Sequence, residues 1–144
     1  MIVLDTNVIS ELMRAVPADR VVRWVTSRPG DALNTTSISV AEVRYGIVRL
    51  PSGRRRESLM AAADDVFSAF QDRVLPFDAK AARHYASLVA EREQAGTPIS
   101  GFDAEIAAIC RSRNAVLATR NTSDFTGLGL ELVNPWEADV LPAE

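Results

Sequence analysis

Four acidic residues carry the chemistry this chain could perform: Asp5, Glu42, Asp103 and Asp124. They are far apart in sequence, and each falls where an apolar run gives way to polar residues or where a helix opens. Carboxylates brought within about 4–6 Å raise one another's pKa, and either protonate or move apart. A divalent cation removes that conflict. With one cysteine, Cys110, and one remote histidine, His84, the available ligands are hard oxygens, which favour Mg2+ or Mn2+ over zinc or copper. Such a centre suits phosphodiester hydrolysis: the cation polarises a phosphoryl oxygen, lowers the pKa of bound water and steadies the leaving alkoxide. A carboxylate not fully used in ligation, Glu42 or Asp124, would orient the attacking water.

Each acid also has a purely structural reading. Asp5 would cap the helix that follows it. Ser39-Val-Ala-Glu42 satisfies the S-x-x-E capping box, and Ser100-Gly-Phe-Asp103 has nearly the same spacing. Asp124 would cap the turn at Phe125. Independent caps have no reason to gather at one edge of a fold, so convergence separates the two readings.

The elements decide whether they converge. Ile2-Val-Leu4 is a short unbroken apolar run, which reads as a strand buried on both faces of a parallel sheet. Asp5 then stands at its carboxyl end, where open α/β sheets place ligands. Helical spacing follows at residues 8–13 and, after Pro17, at residues 19–27. Residues 32–36 form a second strand, and Ser39 opens a helix over 40–50. A long helix spans 54–71, a short strand 74–77, and a helix 80–94 stops at Ala95-Gly-Thr-Pro98. Residues 102–113 are helical, residues 115–118 and 130–133 are strands, and the tail 134–144 packs through Trp136. This alternation predicts an α/β fold. We expect one domain over residues 1–144, a three-layer α/β/α arrangement around a parallel sheet of about five strands.

Composition narrows the function. The 144 residues suffice for one domain that buries roughly 68–70% of its unfolded surface. A net charge of -3 and a pI near 5.2 argue against gripping nucleic acid through a broad basic face. No apolar stretch approaches the ~20 residues of a membrane span. The N-terminal residues show neither the basic region nor the cleavage site of a signal peptide, which predicts a cytoplasmic protein. Cys110 lies in an apolar run, Ile106-Ala-Ala-Ile-Cys110, and reads as a packed thiol.

Five blocks in order resemble a PIN-domain ribonuclease of the VapC/FitB toxin type. They are Met-Ile-Val-Leu-Asp5-Thr-Asn-Val-Ile-Ser-Glu11, Ile38-Ser-Val-Ala-Glu42-Val-Arg-Tyr-Gly46, Asp103-Ala-Glu-Ile-Ala-Ala108, Ala118-Thr-Arg-Asn-Thr-Ser-Asp-Phe125 and Val133-Asn-Pro-Trp136. The resemblance covers essentially the whole chain. It implies a metal-dependent endoribonuclease, the toxin of a bacterial toxin–antitoxin pair, silenced by a cognate antitoxin that would bring operator DNA, and a homodimer. Carried over by position, Asp5 and Asp103 would be the principal metal ligands, with Glu42 and Asp124 completing the cluster. Some relatives place their last acid at the position of Asn121 and have none at Asp124; here the order is reversed, so Asn121 is a candidate for metal, water or substrate contact. Thr6 and Asn7 would orient Asp5 or the phosphate, and Arg14 and Arg44 are candidates for phosphate contact.

Other readings fit less well. Aspartyl phosphatases need a second acid two residues after the nucleophile, where this chain has Asn7, and a late lysine, whereas Lys80, the sole lysine, precedes the last two strands. Receiver domains fail for the same lysine. Nucleotide-binding folds need a Gly-rich loop after the first strand, and Asp5-Thr-Asn is not one. A metal-free scaffold that sequesters a partner remains open, and predicts no loss of function on Asp5→Asn.

Overall fold

The computed structural model describes residues 1–139. Five short strands, β1 (Ile2–Leu4), β2 (Leu33–Thr36), β3 (Val74–Leu75), β4 (Val116–Ala118) and β5 (Leu132–Val133), are joined through six helices. The helices are α1 (Thr6–Leu12), α2 (Asp19–Thr26), α3 (Ser37–Val48), α4 (Arg54–Ser68), α5 (Ala79–Gln94) and α6 (Gly101–Arg113). Every strand pairing is parallel, and the order across the sheet is β3-β2-β1-β4-β5. The chain winds outward from β1 in both directions. In such a sheet the crossovers part over the central strand and leave a crevice at its carboxyl end.

Strand alternation builds the two core layers. Val3 pairs with Leu117, and both join the cluster formed with Ala81, Leu88 and the inner face of α6. Leu4 pairs with Ala118, and both join the opposite cluster with Val8, Ile9, Trp24, Val43, Ile47 and Phe67. Val3 and Leu4 are both fully buried, so β1 is covered on each face as its apolar run predicts. Helices α1 to α4 pack on one side and α5 and α6 on the other, giving the expected three layers. α6 is buried nearly all round from Ala104 to Cys110, and each large apolar side chain hidden this way contributes about 1.5–3 kcal/mol. Burial also pushes the Cys110 thiol well above its ordinary pKa, in keeping with a packed, unreactive sulfur.

Where element boundaries differ from the sequence expectation, capping and backbone chemistry account for it. α1 begins at Thr6 because the Asp5 carboxylate caps it, accepting the Thr6 N–H. α3 begins at Ser37 under the hydroxyl of Thr36, which accepts the Ser39 N–H at 3.1 Å. Ser39 thus lies inside the first turn, and the expected Ser39–Glu42 capping box does not form. Ser100 does cap α6, accepting the Asp103 N–H at 3.3 Å. α4 stops at Ser68, and Gln71 adopts a left-handed φ of 46° before β3. β3 ends at Leu75 because Pro76 has no N–H to donate. β5 starts only at Leu132, after a loop in which Gly127 and Gly129 take positive φ. Trp136 is half-buried, and residues 140–144 of the expected tail lie outside the described residues.

Candidate active site

The carboxyl ends of β1 and β4, helix α1, the second turn of α3 and the first turn of α6 open onto one cleft of about 530 Å³. Its walls include Asp5, Glu42 and Asp103, together with Thr6, Asn7, Arg14 and Asn121. Seven of the nine residues that the sequence singled out therefore meet in one place. Asp5 arrives at the end of the central strand, Glu42 on α3 and Asp103 on α6.

Asp5 is 4% exposed and tightly held. Its Oδ1 accepts the Thr6 N–H at 2.8 Å, and its Oδ2 accepts the Thr119 hydroxyl at 2.8 Å and Asn7 Nδ2 at 3.4 Å. The Thr119 oxygen in turn accepts Asn7 Nδ2 at 3.2 Å and the Asn121 N–H at 3.1 Å, which completes its capacity of one donated and two accepted bonds. Asn7 Oδ1 accepts the Arg120 N–H at 3.2 Å, tying the loop after β4 to α1. Thr119 escaped the sequence reading; the signal available was its position as the first polar residue after β4, matching that of Asp5 after β1.

Glu42 is held by a chain of hydroxyls. Thr6 Oγ1 donates to Glu42 Oε1 at 2.9 Å. Having one proton, Thr6 must accept from Ser39, whose Oγ lies 2.9 Å away. Thr36 donates to Ser39 at 3.4 Å. The relay Thr36→Ser39→Thr6→Glu42 joins the end of β2 to α1 and points every proton toward the carboxylate.

Electrostatics couples the acids. Burial raises the pKa of Asp5, with the charges of Asp103 and Asp124 adding to it, against hydrogen bonds from Thr119 and Thr6. Burial also raises Glu42, and Asp5, Asp103 and Glu105 push the same way. Asp103 is raised by burial and by Asp124, while Ser100 opposes the shift. Among the described residues, no ion pair joins an arginine or lysine to Asp5, Glu42 or Asp103. These side chains share a cleft without being gathered around one point: among the described residues, no three acidic, histidine or cysteine groups are already placed to enclose an ion. The donor set is all carboxylate and hydroxyl oxygen, with mutual repulsion unrelieved, and this chemistry fits a hard divalent cation.

Two candidates stand apart. Asp124 sits in an exposed turn, Thr122–Phe125, and does not line the cleft, although its charge is felt by Asp5 and Asp103. Its backbone carbonyl accepts Arg92 Nη2 at 2.6 Å. Arg44 also lies outside the cleft wall: its guanidinium donates to Asp64 at 2.6 Å and lies over the Phe67 ring, joining α3 to α4. Arg14 does reach the cleft, held at 3.1 Å by Glu11, a buried acid that also accepts the Ala18 N–H at 2.9 Å. Trp136, expected as core, is half-buried and forms part of the cleft wall, with the Arg120 guanidinium 4.9 Å above its ring. Its placement could have been read from Asn134-Pro-Trp136 following the last strand at the same sheet edge.

The profile of the PIN domain matches residues 2–127. The chain belongs to the PIN-domain family. Among PIN-domain relatives, it is 43% identical over 138 residues to the VapC ribonuclease Y4jK of Sinorhizobium fredii, covering 95% of this chain and 99% of that one. It is 36% identical to the toxin FitB of Neisseria gonorrhoeae, covering 94% of this chain and 99% of FitB. A solved structure of FitAB bound to a DNA fragment superposes with a TM-score of 0.88 at 35% identity, over 96% of this chain and 98% of that one. The parallel sheet and helix layers of this PIN domain are thus shared with proteins of known structure.

Proposed function

We infer that this chain is a metal-dependent endoribonuclease, the toxin of a toxin–antitoxin pair, and that residues 1–144 act as one nuclease domain in the cytoplasm. The observation that carries the reading is the meeting of Asp5, Glu42 and Asp103 in one cleft at the carboxyl edge of the sheet, with burial raising all three and the charge of other acids adding to it. Asp5 and Asp103 would hold Mg2+ or Mn2+, with Glu42 and, after a movement of its turn, Asp124 completing the set. The cation would supply Lewis acidity toward the phosphoryl oxygen and a lowered pKa for the attacking water.

The chain's own groups do the positioning. Thr119 and the Thr6 N–H fix both oxygens of Asp5, so its orientation is set before substrate arrives. Glu42, held on one oxygen by Thr6, keeps the other free to accept a proton from water. Arg14, Asn7 and Asn121 line the cleft, where they would meet an RNA backbone. The resemblance to VapC and FitB toxins and the FitAB structure on DNA support an antitoxin partner and operator DNA reached through it. A homodimer is the assembly we infer for the chain. None of the described helices is long and apolar enough to cross a membrane.

The test is cleavage of structured RNAs by wild type and Asp103→Ala with Mg2+, Mn2+ or EDTA. We expect cleavage in either metal, none in EDTA, and a loss of at least about 100-fold in the variant. Undiminished cleavage by Asp103→Ala in EDTA would overturn the mechanism.

A further inference from the structure

The Arg120–Trp136 pair is not explained by the hydrolytic chemistry. Arg120 follows β4 and Trp136 follows β5, the adjacent strand, so both stand at the same sheet edge as Asp5. Both line the acidic cleft. The indole is anchored: it packs against the core cluster that holds Leu4 and Ala118, and its backbone N–H donates to Asn134 Oδ1 at 2.9 Å. Arg120 is exposed and its guanidinium lies 4.9 Å from the ring centroid. Among the described residues its side chain has no carboxylate partner, although the cleft beside it is acidic. An arginine resting on an aromatic face in water is held weakly, whereas a stacked base gains roughly 5- to 160-fold in affinity.

We propose that Trp136 is a stacking platform for an unpaired base next to the scissile phosphate, and that Arg120 leaves the ring to contact the adjoining phosphate as that base enters. The inference rests on the nuclease reading and names the two side chains that would receive an unpaired nucleotide at the cleavage point. An extended or looped strand presents such a base; a continuous duplex does not. It also answers a difficulty set by charge. Of the four carboxylates lining the cleft, Asp5, Glu42 and Asp103 have no arginine or lysine partner among the described residues and repel RNA; a flat aromatic wall supplies attraction that does not depend on sign.

Tryptophan emission reports the contact directly, because the chain has two tryptophans and Trp24 is 1% exposed in the core. A short single-stranded RNA is titrated in Mg2+ into the full chain carrying Asp103→Asn, so that bound RNA survives. We expect quenching of Trp136 by RNA, little quenching by the same oligonucleotide with abasic riboses, binding about tenfold weaker for Trp136→Leu, and Trp136→Phe within threefold of the parent. Arg120→Ala should keep the quenching and lower the slope of log affinity against log salt by about one. Equal quenching by abasic and normal RNA, or full-strength RNA binding by a folded Trp136→Leu, would overturn the proposal and point to a protein partner at this wall. If Trp136→Leu fails to fold, the abasic comparison decides alone. Quenching and base-dependent binding by a chain whose wild type cuts no RNA would instead fail the nuclease reading and leave the platform standing.

Discussion

Asp103 shows what the cleft costs the folded chain. Its pKa is raised by burial and by Asp124, so the folded state holds the proton at pH values where the unfolded state has released it. A carboxyl raised in this way contributes stability below its unfolded value near 3.8, and that contribution is lost as pH rises through the folded value. Asp5 and Glu42 act with the same sign. In metal-free buffer at pH 7, Asp103→Asn should therefore raise Tm by roughly 2–4 °C, while in a separate assay with Mg2+ it should abolish cleavage. The gain should shrink toward zero as pH falls below 4, which thermal melts across a pH series would show. A lower Tm at pH 7 would mean that Asp103 is held by favourable contacts instead.

At the scale of elements, the first turns of α1 and α3 are joined by hydroxyls, and Thr36 is the outermost of them. Thr36→Val keeps the shape but leaves the buried Ser39 N–H without an acceptor and breaks the relay to Glu42. We expect a loss of about 1–2 kcal/mol in denaturant unfolding, together with a smaller fall in cleavage than removal of Asp103 causes.

These same turns mark the limit of what the sequence made legible. The apolar run at Ile2–Leu4 and the periodicity of the later helices foretold the layers, the parallel sheet and the edge where Asp5, Glu42 and Asp103 meet. Local spacing misplaced the start of α3, because Ser39-Val-Ala-Glu42 satisfies a capping rule that Thr36 fulfils first. Arg44 looked close to the site, being two residues from Glu42. On a helix, that spacing turns the side chain about 200° away, toward Asp64 on α4. Thr119, Arg120 and Trp136 act across strands rather than along the chain, and residue types alone carry no sign of such pairings.

The whole molecule is mildly acidic, with a net charge of -3, and Asp5, Glu11, Glu42 and Asp103 line the cleft where RNA would enter. A divalent ion held in the cleft would relieve this repulsion and stabilise the folded state by mass action, about 2.7 kcal/mol at a hundredfold excess over Kd. Calorimetry with added Mn2+ should show Tm rising with concentration for the wild type and staying flat for Asp103→Asn. An equal rise in both would place the ion elsewhere.

Asp5 ends the central strand, caps α1 and faces the cleft at once. Asparagine serves as well as aspartate at a helix cap, but its Nδ2 would face the Thr119 hydroxyl and Asn7 Nδ2 that Oδ2 now accepts, so Asp5→Asn should lower stability as well as activity. Cells that survive forced expression of this gene should thus often carry that single replacement.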